Sequence, residues 1–301
     1  MDKVLEFIGA NEFWRAGFRG ANVSIGIIDT GIDDTHPDLF EKIIAEKDFT
    51  GLGNNDAFGH GTCMAGLCAG SGNASLGRFS GVAPEANICS AKALNEKGFG
   101  DISAIKEAVE WLVHLDVDVI LMSFGISGPC DGRDKLSKLC DKASSAGPLI
   151  VVPAALGASI GSPDASRSVL TVGASSLDDE VAWFSARGPT LDGRLKPDIV
   201  APGCEVTSCR ARGTYIRQAV GDYYATTTGI STSAGIATGA AALIAGALKE
   251  TNVSKPKKLS RILKRAIMES AVDIDPNCYR QGAGRLDLRE ISMLLDHWFQ
   301  P

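Results

Sequence analysis

Apolar and polar positions along this chain follow two alternating rhythms. Between Asn22 and Asp29, Val23, Ile25, Ile27 and Ile28 first alternate with small or polar residues and then run together, the pattern of a buried strand that ends in an acid. Comparable short runs recur at Ile88 to Leu94, Val117 to Ser123, Leu149 to Ala154, Val169 to Ala174 and Asp198 to Ala201. Segments with helical spacing lie between and after them: Gly61 to Ala69, Ser103 to Leu115, Lys135 to Ala146, Thr232 to Leu248 and Lys255 to Ala271. Strands alternating with helices predict an α/β fold, a three-layer α/β/α arrangement with a mostly parallel twisted sheet and right-handed crossovers. Such sheets bind ligands outside the carboxyl ends of their strands. Asp29 and Ser123 each end a predicted strand and Ser231 opens a predicted helix, so these distant residues are expected at one crevice.

Composition narrows the picture. A chain of 301 residues with 45% apolar content can bury a large core, and no repeat, low-complexity tract or Pro/Ser-rich linker divides it. We therefore expect one domain over 1–301. A net charge of −6 and a pI near 5.3 argue against a nucleic-acid partner, which requires clustered Lys and Arg. The basic stretch from Lys255 to Arg265 is interleaved with Leu259, Ile262 and Leu263 and reads as a solvated helix face. No uninterrupted run of about 18 apolar residues is present, and the N-terminus lacks a basic region followed by an apolar stretch, so no membrane partner is expected.

Of the eight cysteines, Cys63, Cys68, Cys89 and Cys140 sit inside apolar patterns, where a free thiol packs as a small hydrophobe. That favours reduced thiols and a cytoplasmic location. Cys204 and Cys209, five apart in a loop, are the pair best placed to bridge. Neither a Cys-x-x-Cys nor a His-x-x-x-His pair occurs, so no zinc site is expected.

Three short motifs carry chemistry: Asp29-Thr30-Gly31, Gly59-His60-Gly61-Thr62 and Gly229-Ile230-Ser231. A serine hydroxyl is a poor nucleophile until a base removes its proton, and imidazole is suited to that task because it titrates near neutrality. The imidazole in turn needs a carboxylate on its other nitrogen to fix its tautomer and stabilise its cation. Of the four histidines, His36 precedes Pro37 in a turn, His114 ends a helix and His297 lies in the C-terminal tail; only His60 is flanked by glycines. Ser231 opens a helix of small residues, so its amide sits at the positive end of the helix, where an oxyanion can be held.

These motifs resemble those of the subtilases, the subtilisin-like serine proteases. The acid motif extends over Ile28-Asp29-Thr30-Gly31-Ile32 and leads to His36-Pro37-Asp38-Leu39, while the histidine motif leads through Ala65-Gly66 to Gly81-Val82-Ala83-Pro84. Phe184-Ser185-Ala186-Arg187-Gly188-Pro189 and Lys196-Pro197-Asp198-Ile199-Val200-Ala201-Pro202-Gly203 complete a resemblance that runs from about Ile8 to Arg285. It implies a serine endopeptidase that acts on peptide or protein substrates through an acyl-enzyme, with Asp29, His60 and Ser231 as its triad. It also implies that Asn95 to Asp101, with Phe99 and Gly100, and Ser123-Phe124-Gly125 clamp an extended substrate by β-augmentation. Phe99 would wall a distal apolar subsite. Gly161 would floor the pocket for the residue preceding the cleaved bond and leave room for a large side chain.

Two departures qualify the expectation. Where the family reads G-T-S-M-A-x-P, this chain reads Gly229-Ile230-Ser231-Thr232-Ser233-Ala234-Gly235, which makes Ser233 a rival nucleophile; Gly239, eight residues after Ser231, favours Ser231 by the family's spacing. Where the family has A-A-G-N, with an Asn that donates to the oxyanion, this chain continues from Ala154-Ala155 into Leu156-Gly157-Ala158-Ser159-Ile160, and no Asn occurs between Asn95 and Asn252. Loss of one such donor costs about 10²–10³-fold in kcat, a magnitude known from subtilisin itself. A slow or specialised protease is expected. Two alternatives remain open: a pseudoprotease that binds extended peptides or a partner protein, and a maturation protease or transpeptidase that passes the acyl group to an amine.

No cofactor is expected. Calcium requires several oxygen ligands including charged ones, and the segment Ser71 to Gly77, where many relatives bind the ion, has no carboxylate. Asp48, Asp56 and the pair Asp33-Asp34 could make a local calcium site, but exposed turn carboxylates are the commoner reading of such residues.

Overall fold

The computed structural model describes residues 1–155, 159–214, 218–250 and 259–291. Seven strands, β1 (Ser24–Asp29), β2 (Ile43–Asp48), β3 (Asn87–Lys92), β4 (Val119–Met122), β5 (Leu149–Pro153), β6 (Leu170–Ser175) and β7 (Ile199–Pro202), form one sheet in the order β2-β3-β1-β4-β5-β6-β7. Every neighbouring pair is parallel. Six of these strands coincide with predicted runs. The exception is β2, an edge strand whose sequence Ile-Ile-Ala-Glu-Lys-Asp is half exposed and so lacks a buried-strand signature.

Helices α1 (Asp2–Phe7), α2 (Ala10–Arg15), α3 (His60–Ala69), α4 (Ile102–His114), α5 (Lys135–Ala146), α6 (Ile230–Glu250), α7 (Leu259–Glu269) and α8 (Cys278–Gln281) complete the main architecture. Alternate strand residues serve the two faces of the sheet. Ile25, Ile27, Val119, Leu121, Val151 and Val172 join the core formed with α3 and α6. Ile28, Ile120, Met122, Ile150 and Val152 join the core formed with α4 and α5. Gly26 lies on that second side, where a Cβ would stand 2.7 Å from Leu112 of α4, so the missing side chain admits the helix. Burial on both faces explains why these strands read as continuous apolar runs.

Helix α6 begins at Ile230, two residues before the predicted start, and almost all of it is buried. By length and composition it could cross a bilayer, yet 94% of its apolar window lies inside the protein, so it serves here as a core helix. Its small residues permit close approach to α3. A Cβ on Gly235 would meet Leu67 at 3.0 Å, and one on Gly239 would meet Val82 at 2.6 Å and the Cys68 carbonyl at 3.0 Å.

A second sheet has no counterpart among the predicted strands. Strands β8 (Val206–Cys209), β9 (Gln218–Val220) and β10 (Tyr224–Thr227) pair antiparallel in the order β8-β10-β9. They are short and rich in Ser and Thr, and β8 is anchored to α3 by the Ser208 hydroxyl, which donates to the Cys63 carbonyl at 2.7 Å. Helices α1 and α2 were also unexpected; each is too short to establish a period, and they are held by burial of Val4, Leu5 and Phe13.

Two sequence expectations require correction. Cys204 and Cys209 do not bridge, and none of the eight cysteines forms a disulfide; Cys209 lies against Gly66 of α3, within 2.6 Å of where a Cβ would be. The basic helix face is only partly solvated. Its first residues, 255–258, lie outside the described residues, but Lys264 binds Asp198 at 3.0 Å and the Val169 carbonyl at 2.7 Å. Ile262, grouped with the apolar positions, is exposed, while Leu259, Leu263 and Ile267 form the buried stripe. The motif around Lys196-Pro197-Asp198 is structural: Lys196 Nζ reaches Asp198 at 2.6 Å and the Thr171 hydroxyl at 2.7 Å, joining the approach to β7 with β6.

Candidate active site

The strand order changes direction at β1, with β2 and β3 on one side of it and β4 to β7 on the other. Such a switch point opens a crevice at the carboxyl ends of the strands. Ile28 pairs with Met122, so the next residues, Asp29 and Ser123, stand side by side at that edge. Asp29 is 1% exposed. His60 Nδ1 contacts both of its carboxylate oxygens, at 2.8 and 2.9 Å, and the Thr30 amide donates to Oδ1 at 2.8 Å. The ring of His60 remains 15% exposed, with one nitrogen committed to the acid.

A second acid holds this pair in place. Asp56 is buried, not exposed as the sequence suggested. Its Oδ1 accepts from the Thr30 hydroxyl at 2.8 Å and the Gly59 amide at 2.7 Å, while Oδ2 accepts from the Thr62 amide at 2.8 Å and its hydroxyl at 2.7 Å. Thr30 adjoins Asp29, and Gly59 and Thr62 bracket His60. No periodic pattern marks such a residue; the available signal was a carboxylate four positions before His60 within the same glycine-rich loop.

Ser231 lies in the first turn of α6 and His60 is the first residue of α3. The two helices pack in register, with Gly235 against Met64 and Leu67 and Gly239 against the Cys68 carbonyl. Ser231 lies one helical turn before Gly235 and His60 one turn before Met64, at the amino ends of these two packed helices. A cleft of about 510 Å³ beside His60 is lined by Phe58, Glu205, Gln218 and Thr226 to Thr228, the residues that lead into α6. Ser231 is partly exposed, whereas Ser233 is fully buried. The Ser233 hydroxyl has no hydrogen-bond partner and lies against Gly203, 2.3 Å from where a Cβ would be.

The segments assigned to substrate flank this crevice. Asn95 to Phe99 forms a turn closed by the Asn95 amide donating to the Phe99 carbonyl at 2.7 Å, and Phe99 is 71% exposed at its end. At Gly100 a Cβ would meet the Ala93 carbonyl at 2.3 Å. In the other segment the Ser123 hydroxyl turns inward to Met64, Phe124 packs into the core beside α4 and α5, and Gly125 is exposed. An apolar cavity of about 430 Å³ extends between Ile102 and Ile126, just beyond the two segments, and is also lined by Pro129 and Leu136. These aliphatic residues, which no motif marks in the sequence, supply an apolar surface distinct from Phe99.

Comparison with known proteins matches the subtilase family over residues 20–286. The chain belongs to the subtilase family. It is therefore a subtilisin-like serine protease. Among its relatives, serine protease AprX of Bacillus subtilis (strain 168) is 38% identical over 94% of this chain and 70% of its own length. Subtilisin DY of Bacillus licheniformis is 38% identical over 70% of this chain and 75% of its own, and subtilisin E of Bacillus subtilis (strain 168) is 34% identical over 91% and 66%.

At the position of the family's oxyanion Asn, residues 156–158 of this subtilase, including Leu156, lie outside the described residues. The flanks are defined. Ala155 and Gly161 both donate their amides to Asp164 Oδ2, at 3.0 and 2.8 Å, and Ser159 is half-buried between them. Burial pushes the Asp164 carboxyl above its ordinary value, an effect only partly offset by the amides of Gly161 and Ala155. At Gly161, expected to floor the substrate pocket, two backbone segments approach closely. A Cβ there would stand 2.2 Å from the Ile126 carbonyl, so glycine admits the backbone pairing of Ile126 with Ser162, whose bonds are 2.6 and 3.0 Å.

The acids considered for a cation have protein donors. Asp48 accepts from Thr50 and Gly53, and Asp33, also buried, accepts from Thr35 and the Arg212 amide. Among the described residues, His36, Asp38 and Cys209 are close enough together to hold a metal ion. Both His36 nitrogens are already engaged, Nδ1 by the Asp38 amide and Nε2 by the Tyr223 carbonyl, and Asp38 accepts from the Ala74 amide and the Tyr224 hydroxyl. This cluster reads as a satisfied hydrogen-bond network.

Proposed function

We propose that this subtilase is an endopeptidase in which Ser231 attacks the scissile carbonyl. His60 takes the serine proton and returns it to the leaving amine, and Asp29 holds the His60 tautomer and stabilises the imidazolium. The observation that carries the reading is the two-oxygen contact of the buried Asp29 with His60 Nδ1, at 2.8 and 2.9 Å, which leaves Nε2 for the serine. The Ser231 amide, at the start of α6, serves as an oxyanion donor, and the helix dipole supports it. Water then resolves the acyl-enzyme. This chemistry uses side chains and backbone alone.

We further propose that an extended peptide adds between the segments Asn95 to Asp101 and Ser123 to Gly125 and makes backbone hydrogen bonds along both. Slow turnover is part of the proposal, since the family's Asn is replaced and the nearby Ala155 amide is bound to Asp164. A reducing compartment suits the protein because burial pushes up the thiols of Cys68, Cys89, Cys140 and Cys209 and keeps them in their inert form.

A serine-directed fluorophosphonate probe tests the catalytic reading. Wild type is expected to label and Ser231→Ala to lose the label. Failure of the folded wild type to label, with no turnover of a denatured protein substrate, would establish a peptide-binding pseudoprotease instead. Mass spectrometry of the products separates hydrolysis from transpeptidation, because only the latter yields ligated peptides.

A further inference from the structure

Beside the strand assigned to substrate stands a carboxylate that the proposed chemistry does not use. Asp164 is 1% exposed. Its Oδ2 is satisfied by the amides of Ala155 and Gly161, but Oδ1 is buried without a hydrogen-bond partner. Oδ1 lies 3.7 Å from the point that a Gly125 Cβ would occupy, with Pro163 at 3.8 Å and the Ser162 carbonyl at 3.1 Å from the same point. Gly125 is exposed and carries no side chain to stand over the unpaired oxygen. Lys196, a cation whose field reaches Asp164, is held by Asp198 at 2.6 Å.

We infer that Asp164 selects substrates with Lys or Arg at the residue preceding the scissile bond. The inference rests on the assignment of Ser123 to Gly125 to substrate made under the proposed function. A buried carboxylate oxygen with no donor is an unfavourable state, and an ammonium or guanidinium at the end of a long side chain supplies both the hydrogen bond and the opposite charge. Those two residues carry the cation beyond a long aliphatic stem, which lies over Gly125 while the charged end reaches the oxygen. Apolar side chains leave Oδ1 unpaired, and acidic ones add a like charge. A stem over Gly125 agrees with this geometry, because the Ile126 carbonyl occupies the space at Gly161, 2.2 Å from where a Cβ would be, whereas Asp164 Oδ1 stands 3.7 Å from the corresponding point at Gly125.

The test uses otherwise identical fluorogenic peptides that end in Arg, Lys, Phe, Leu or Glu. Wild type is expected to favour Arg and Lys over Phe and Leu by about tenfold or more in kcat/KM, and Asp164→Asn, which keeps an acceptor for the two amides, to reduce that ratio by a similar factor. Benzamidine, a small aromatic cation, is expected to slow fluorophosphonate labelling of wild type, while benzyl alcohol does not. Preference for Phe or Leu together with no effect of benzamidine overturns the inference. If wild type does not label, the catalytic reading fails separately. Benzamidine then still decides the specificity: a rise in melting temperature that Asp164→Asn abolishes supports the inference, and no rise overturns it. Should Asp164→Asn not fold, the wild-type peptide series and the benzamidine protection decide together.

Discussion

The Thr30 hydroxyl donates to Asp56 Oδ1 at 2.8 Å, one residue away from Asp29. Through its remaining bonds to Gly59 and Thr62, the same buried carboxylate holds both sides of His60. Asp56 thus fixes the two halves of the acid–imidazole pair relative to each other. We expect Asp56→Ala to destabilise the fold by roughly 2–4 kcal/mol, since several charge-assisted hydrogen bonds lose their acceptor. The same change is expected to lower kcat by about 10–100-fold with little effect on KM, because misplaced catalytic groups slow the reaction without altering distant substrate contacts. Urea unfolding and steady-state kinetics on a peptide substrate measure both.

The contrast between Ser231 and Ser233 gives a second expectation. Ser233→Ala removes a buried hydroxyl that has no partner, so stability should change by less than about 1 kcal/mol and probe labelling should persist. Ser231→Ala should abolish labelling with an unchanged melting temperature. The reverse pattern would assign the nucleophile to Ser233.

Acid sensitivity is expected from Asp134, which caps α5 through the Leu136 and Ser137 amides and accepts from the Ser162 hydroxyl at 2.6 Å. Burial pushes its carboxyl up, but the hydrogen bonds from Ser137 and Ser162 outweigh that and hold it below the ordinary 3.8. A lowered carboxyl contributes stability that is complete above its unfolded value and is lost as pH falls through the lower folded value. Melting temperature measured down to about pH 2 should therefore fall less steeply below about pH 4 in Asp134→Asn than in wild type. At pH 7 the variant should be less stable than wild type, because the neutral amide forfeits the contribution of the lowered carboxyl even though Asn still caps the helix.

Gly161→Ala tests the close approach of two backbones. A new Cβ would stand 2.2 Å from the Ile126 carbonyl, and neither backbone can yield without opening the Ile126–Ser162 pairing. The expected cost is about 1–3 kcal/mol. A loss of activity on peptides with large side chains before the scissile bond should accompany it, measured as a rise in KM.

Much of this architecture was legible because burial on both faces writes itself into the sequence. Ile25, Ile27 and Ile28 announce β1, and Asp29 at its end announces a site, since an acid closing an apolar run has few structural reasons to be there. Edge strand β2 escaped notice because its charged residues face water, and β8 to β10 escaped because three or four residues cannot establish a period. The acids were the hardest to read. Asp56 and Asp33 look like ordinary turn residues, and only the fold shows each one enclosed by donors.

The sequence by itself determined the layered α/β fold, the pairing of acid and imidazole motifs, and the small-residue helix that carries Ser231. These depend on local periodicity and on short motifs whose residues are neighbours in the chain. Tertiary structure decided that Ser233 is sealed against Gly203, that Asp56 binds both Thr30 and Thr62, and that Asp164 has one oxygen satisfied and the other unpaired beside Gly125. The physical reason is common to all three. A polar atom's role depends on which donors or walls reach it, and here those partners come from chain segments that meet only when the sheet and its helices close around them.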